Sequence, residues 1–263
     1  HRKAAKDAGR PWAPKMPSAP ARGDRAAREL ARLNQLSQTA EVAARESIRA
    51  ARASGDETAR LDRLHDILWG AMALMESEVE TAYASAPEMT KLKQSVACRK
   101  GCSFCCHMAV EATIVEAILV WRRAAHLPAL SRAVHESAAK SANVEPHARW
   151  RARTPCPMLG SDGACQVYED RPGSCRAFVS VDAKACERAL TSAGTDEENL
   201  SVPIVPFPRK IETAISIGVR RAIAAENLQS CNVELTAALH LLANDSTAAT
   251  RWMAGETVFT PYP

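Results

Sequence analysis

Eight of the nine cysteines in this chain stand within the 89 residues from Cys98 to Cys186, and only Cys231 lies apart. What those sulfurs bind decides what the chain can fold around. Disulfides are one outcome for a chain of this size. Against them, Cys105 and Cys106 are adjacent and cannot easily pair with each other. An alanine-rich, helix-favouring composition is also unlike a loop-rich disulfide scaffold. In a reducing compartment, tightly clustered thiols are metal ligands. The expectation is a cytoplasmic protein with a thiolate-liganded metal.

The remaining composition bounds the class. A chain of 263 residues suits one large domain or two small ones, and a hydrophobic content of 46% suffices for a core. Aromatic residues make up only 5%, so helices packed through small side chains are favoured. The net charge of +4 supports no nucleic-acid inference. No apolar run reaches the ~18 residues of a membrane span, and no signal peptide is read. The chain begins at His1 and not Met, which implies a processed or trimmed chain from which an N-terminal segment could be missing.

Patterning suggests four segments. Residues 1–24 hold Pro11, Pro14, Pro17 and Pro20, and residues 1–25 carry seven Lys/Arg against two Asp, a net +5. This predicts a flexible basic arm, read as a solvated tail. Residues 25–90 predict a helical hairpin. Its first helix, 25–54, has Leu30, Leu33, Val42 and Ile48 among alanines. Its second is capped by Asp56 and closed by Pro87, with Leu61, Leu64, Leu68, Met72, Met75 and Val79 at helical spacing. Met72 and Met75 lie on that apolar stripe and are read as core. Residues 91–190 form the cysteine region, which includes helices at 111–127 and 128–142, the latter opened by Pro128. Within it, residues 154–181 contain prolines, the turn Ser161-Asp162-Gly163, and short β-like pieces at 165–168 and 177–181. Residues 191–263 predict a helical segment packed on the same body, with helices at 209–228, 233–243 and 246–254. The fold class expected is mostly α, a helical scaffold around an irregular cysteine-rich metal-binding knot with short β pieces.

Cys98, Cys102 and Cys105 stand at C-x3-C-x2-C with Phe104 before the third, and Cys106 follows at once. Three thiolates so spaced can hold three irons of a 4Fe-4S cube and leave the fourth open. Radical-SAM enzymes use such a triad after the first strand of a β/α barrel, but here the motif lies between helices and the strand–helix alternation is missing. The second cluster is Cys156, Cys165 and Cys175, with Cys186 as its candidate fourth member. The helical stretch between the clusters can return the chain to its start, so one region built from both is sterically easy. Thiolates select zinc, iron–sulfur or copper(I). Eight of them fill two closed tetrahedral zinc sites, whereas one cube needs four.

The supporting residues read more plainly. Gly101 and Gly163 suit turns with positive φ or a close backbone approach. His107 is a candidate ligand, against the commoner reading of a surface histidine. Asp170 and Arg171 read as a structural charge pair, and Arg176 as a cation offsetting thiolate charge. Cys231 reads as a buried, inert thiol. Glu76 and Glu80 read as a solvated face. There is no G-x-S-x-G, no H-E-x-x-H and no glycine-rich phosphate loop, so no catalytic residue is assigned.

Taken together, the first block and the second resemble the YkgJ-type cysteine-cluster family, a zinc- or iron-chelating domain. The second block runs Cys156-Pro157-Met158-Leu159, Cys165, Tyr168, Arg171-Pro172 and Cys175-Arg176. The resemblance covers roughly residues 95–180 and implies metal chelation by the seven cysteines of the two blocks. A lysine methylase with a similar cysteine set uses a 4Fe-4S centre for methyl transfer, so the resemblance also favours an iron–sulfur centre, with SAM as an optional ligand. Three functions therefore stand. The first is an iron–sulfur centre in an enzymatic role, such as SAM-linked group transfer, or in a redox role, acting on a small-molecule or protein substrate. The second is a structural zinc module for a protein or nucleic-acid partner. The third is metal storage or delivery.

Overall fold

The computed structural model describes residues 22–141, 144–199 and 201–262. The expected arm lies outside these residues, except that its last three positions already belong to α1 (Arg22–Ala53). A three-residue link leads to α2 (Glu57–Ala84), whose N-cap Asp56 accepts the Ala59 N–H at 2.8 Å. This contact is worth roughly 1 kcal/mol. Arg32 and Glu78, equidistant from the link, pair at 2.6 Å, as two antiparallel helices require. Leu64, Leu68, Met72 and Met75 are buried along α2, with Leu61 and Val79 partly buried beside them. On α1 the buried face is built from Leu36, Ala40, Ala44, Ile48 and Ala51, whereas Leu30 and Val42 are exposed.

Pro87 does more than end α2, because it opens α3 (Pro87–Gln94). The expected helix from 111 instead starts as a strand. β1 (Glu111–Thr113) pairs antiparallel with β2 (Asn232–Glu234) before the chain enters α4 (Ile114–Ala125). The switch occurs at Thr113, which forms a capping box with Glu116. β2 feeds α10 (Leu235–Asn244) in the same way, and Glu234 accepts the Ala237 N–H at 2.8 Å. Between them come α5 (Pro128–Ser141), opened by Pro128 as expected, and two short helices the periodicity does not reveal, α6 (Pro146–Arg151) and α7 (Gly173–Ala177). α8 (Ala183–Ser192) carries Cys186 and was likewise hidden. The β-like pieces amount only to single bridges, Leu159 with Cys165 and Ser180 with Ile204. α9 (Pro206–Ala225) and α11 (Ala248–Met253) complete the set.

The architecture is mostly helical, with a cysteine-rich region and, among the described residues, a single two-stranded sheet. One continuous core runs through α1, α2, α4, α9, α10 and α11. α4 is buried almost all round because α2, α5 and α10 pack against it. Among the described residues, no helix is long and apolar enough to cross a membrane.

α9 lies so close to α1 that a Cβ on Gly218 would sit 2.1 Å from the Ser37 carbonyl oxygen and 2.9 Å from Ala40 Cβ. Backbone cannot yield as a flexible side chain can, so Gly218→Ala forces the two helices apart. The expected cost is about 1–3 kcal/mol, visible as a lowered denaturant midpoint. An unchanged midpoint would show that the two helices separate freely.

Candidate metal centre and its adjoining cleft

After α3 the chain drops the helical period and makes two tight turns. Cys102 donates its N–H to Arg99 O at 3.0 Å, with Gly101 at φ +89. Cys105 and Cys106 sit in a single 3-10 turn, Phe104–His107. The second block joins the first directly, since the Cys156 N–H donates to Cys106 O at 2.7 Å. Gly163, at φ +75, takes its turn against the first loop, and a Cβ there would be 3.4 Å from Gly101 O. Both glycines therefore serve positive φ, and Gly163 a close approach as well. Cys98 lies beside the 178–180 segment, where its sulfur accepts the Ser180 N–H at 3.2 Å. α8 brings Cys186 against the 3-10 turn.

All nine cysteines carry free thiols. As they stand, no three His, Cys, Asp or Glu side chains among the described residues are gathered closely enough to hold a metal ion. They are nonetheless electrostatic neighbours, in two sets. In the outer set, burial raises Cys98, Cys102 and Cys186. Cys98 is raised further by Cys102 and Cys105, Cys102 by Cys105 and Cys186, and Cys186 by Cys98 and Cys105. In the inner set, burial pushes Cys156 up to about 11, with Cys165 adding to it. Burial, then Cys156, Cys105 and Cys165, raise Cys175. Burial also raises Cys165. Cys105 joins the two sets, since it acts on Cys175 as well as on the adjacent Cys106. The interaction of the two adjacent thiols draws Cys105 down to about 7 against the cost of burial, and with burial it raises Cys106.

The charges around the thiols differ from those expected. Asp170 and Arg171 do not pair with each other. Asp170 faces His65 at 3.6 Å and Arg123 at 3.9 Å, while the Arg171 guanidinium lies 3.9 Å from the Tyr168 ring centroid. From there Arg171 favours the thiolates of Cys98, Cys105, Cys165 and Cys175. Arg176 is turned toward Glu76 and the carbonyls of Glu169 and Arg171, and of the thiolates it aids Cys165. Arg171 is thus the main cation of the region. Arg149, which periodicity could not single out, is 2% exposed and favours ionised Cys156. Its Nη1 donates to Glu234 and Thr236, and its Nε and Nη2 have no partner. His107 turns its Nδ1 toward its own Phe104 carbonyl, at 3.4 Å. Cys231 stands apart, half-buried against the main core, with Gln229 Nε2 at 3.7 Å.

A cleft of about 440 Å³ opens beside the thiols, and Cys105 and Cys186 form part of its wall. A second hollow of about 410 Å³ shares Cys105, Phe178 and Tyr262 with it and reaches Cys175. Spacing arguments could not reveal this cleft, because the wall facing the Phe104–Ala109 stretch comes from α6, α8, Phe178, the 202–204 segment and Tyr262.

Behind Cys175 lies a carboxylate floor. Glu116 is 8% exposed and accepts the Gly173 N–H at 2.8 Å, which fixes the start of α7. Glu212 lies alongside, and burial, then the charge of Glu116, pushes it up to about 7.

Residues 97–198 match the CxxCxxCC family model, described as "Putative zinc- or iron-chelating domain". The match takes in Cys186 as well as the seven cysteines of the two blocks, and the first gap in this chain is one residue longer than the family's name spells. No curated protein and no solved structure matches the chain.

Glu212 gives the site a pH signature. The folded protein holds this proton more tightly than the unfolded chain, whose value is near 4.5. Stability therefore falls as pH rises from about 4.5 to about 7, by on the order of 1.4 kcal/mol per unit, and levels off above that. Glu212→Gln mimics the protonated carboxyl and should escape the loss, so it gains on the wild type across that window. A difference in unfolding free energy between the two that stayed constant from pH 5 to pH 8 would refute the assignment.

Proposed function

Taking residues 97–198 as a CxxCxxCC zinc- or iron-chelating domain, we propose that its thiols hold two centres and that the outer one is an iron–sulfur cluster used in chemistry. The outer ligands are Cys98, Cys102 and Cys105, with Cys186 at the fourth position. The inner ligands are Cys106, Cys156, Cys165 and Cys175, which form a closed structural site. The observation that carries this reading is the cleft. Two outer thiols, Cys105 and Cys186, form part of the wall of a hollow of about 440 Å³, whereas a purely structural thiolate site needs no access.

The donor set fits such metals in kind. Eight thiols and no required oxygen ligand suit zinc or iron–sulfur better than hard cations. Binding would draw the thiols in to ligand distance, a rearrangement of the kind that metal-coupled folding supplies. When bound, an iron–sulfur cluster supplies electrons or an open iron for substrate. This chain's residues supply the rest. Arg171 and Arg149 offset the charge of thiolate ligands, Ser180 N–H donates to Cys98 sulfur, and the open cleft gives access to Cys105 and Cys186. The resulting protein is a cytoplasmic iron–sulfur enzyme, with SAM-linked group transfer or redox chemistry as its classes of reaction. A closed zinc module at both sets is the second reading, favoured by the even division of eight thiols into two groups of four.

Cys165→Ser should lose the inner metal and destabilise the fold, Cys102→Ser should lose the outer metal, and Cys231→Ser should keep both. Metal analysis on the purified variants checks this, and full metal content in Cys165→Ser would sink the inner site. Prepared without air, with ample iron and sulfur, the wild type should be brown. It should absorb broadly near ~400 nm and carry acid-labile sulfide. Stoichiometric zinc with no sulfide in that preparation would turn the reading to the closed module, since zinc is colourless.

A further inference from the structure

α7 carries Cys175 and rests on α9, and two carboxyl side chains meet where it begins. A Cβ on Gly173 would sit 3.1 Å from Glu212 Cγ and 3.4 Å from Glu116 Oε1. Glu116 accepts the Gly173 N–H and both donors of Thr113, the pattern of an ionised carboxylate. Glu212 stands between two spaces. On one side is an apolar crevice lined by Ile67, Met72, Ile215 and Val219. On the other is a polar hollow of about 100 Å³, which Glu111, Ser174, Arg209 and Arg220 also line.

The groups around Glu212 give its side chain two places to be. Burial, then Glu116 from α4, oppose its ionisation. Arg209, one turn earlier on α9, favours it, and Glu111 from β1 adds to the opposition. α2 and α7 face it with Met72, Gly173 and Ser174, which do not titrate. A neutral carboxyl tolerates the position beside Glu116, and a charged one is disfavoured there. Arg209 is loosely held, 3.7 Å from Glu111, and its side chain is 48% exposed. A second carboxylate can therefore join it, and the hollow leaves room for the turn.

We propose that Glu212 is a proton-operated latch on the start of α7. With its proton, it packs against Gly173 beside Glu116. Without it, the carboxylate turns into the hollow toward Arg209, the Gly173–Glu116 bond is opened to water, and α7 loosens with Cys175 on it. The closed position holds the proton up to about 7, and a free carboxyl holds it near 4.5. Opening therefore becomes about tenfold easier per unit as pH rises between these values, and levels off above. The latch needs no metal. Under the two-centre reading, the segment it holds is the one that presents Cys175 to the inner site.

Amide hydrogen exchange tests this, read by NMR on the isotope-labelled full chain without added metal and expressed as protection relative to the intrinsic rate. Gly173 should be less protected than Leu64, buried in α2, whose exchange reports opening of the whole fold. Its protection should fall about tenfold per unit between pH 5 and pH 7. Glu212→Gln keeps a neutral side chain of the same shape and should abolish that fall. Should Glu212→Gln fail to fold, Arg209→Gln, at an exposed side chain, removes the receiving cation and should make the total fall at least about 3-fold smaller. Gly173 protection equal to that of Leu64 at every pH overturns the latch, because the segment then opens only with the whole fold. So does an undiminished fall in Glu212→Gln or in Arg209→Gln. The latch and the iron–sulfur reading fail separately. A protein that holds only zinc and still shows the Glu212-dependent fall loses the iron–sulfur reading and keeps the latch. A brown, sulfide-bearing protein whose Gly173 protection ignores pH loses the latch alone.

Discussion

The carboxylate of Glu116 is the joint between the helical body and the cysteine-rich region. One oxygen accepts both the N–H and the hydroxyl of Thr113, at 2.7 Å and 2.9 Å, and the other accepts the Gly173 N–H at 2.8 Å. A buried carboxylate without donors would be strongly unfavourable, so these three bonds hold one another in place. The same side chain that starts α4 therefore also fixes α7 and, with it, Cys175. Gly173 allows this closeness, because a Cβ there would meet Glu212 at 3.1 Å and Met72 at 3.3 Å.

Charge sets the second constraint. Burial disfavours every inner thiolate, and Arg171 and Arg149 offset only part of that cost. Half-satisfied Arg149 is notable here, since a guanidinium with free donors in the interior is itself poorly accommodated. Cation and thiols thus each lack what the other provides once the sulfurs are ionised, and ionisation is what a bound metal enforces.

Much of the fold was legible because long helices announce themselves. The α2 stripe, the Asp56 cap and Pro128 at the start of α5 all follow from 3.6-residue periodicity and capping chemistry. The cysteine-rich region was legible as composition, since eight cysteines and two positive-φ glycines mark it without any period. What stayed hidden depends on partners distant in sequence. β1 is a strand only because β2 lies beside it, and the short helices α6, α7 and α8 have too few turns to show a pattern. Arg171 was misassigned because its neighbour Asp170 suggested a pair, while Tyr168 three residues earlier offered a ring face instead. Trp150 and Tyr262 meet at the cleft only through tertiary packing.

The bond from Cys156 N–H to Cys106 O has a consequence for the order of assembly. It closes a loop of fifty residues, and the contact of Cys98 with Ser180 closes a longer one. Such closures cost chain entropy before any metal can repay it, and they cannot form until the later partner has left the ribosome. The first four cysteines therefore emerge long before Cys175 and Cys186, and the wall residue Tyr262 arrives last of all. During synthesis the chain exposes a row of reduced sulfurs with no site to occupy. A metal held jointly by the two blocks would be loaded only after Cys175 and Cys186 have emerged, and until then the nascent thiols depend on their surroundings to stay reduced.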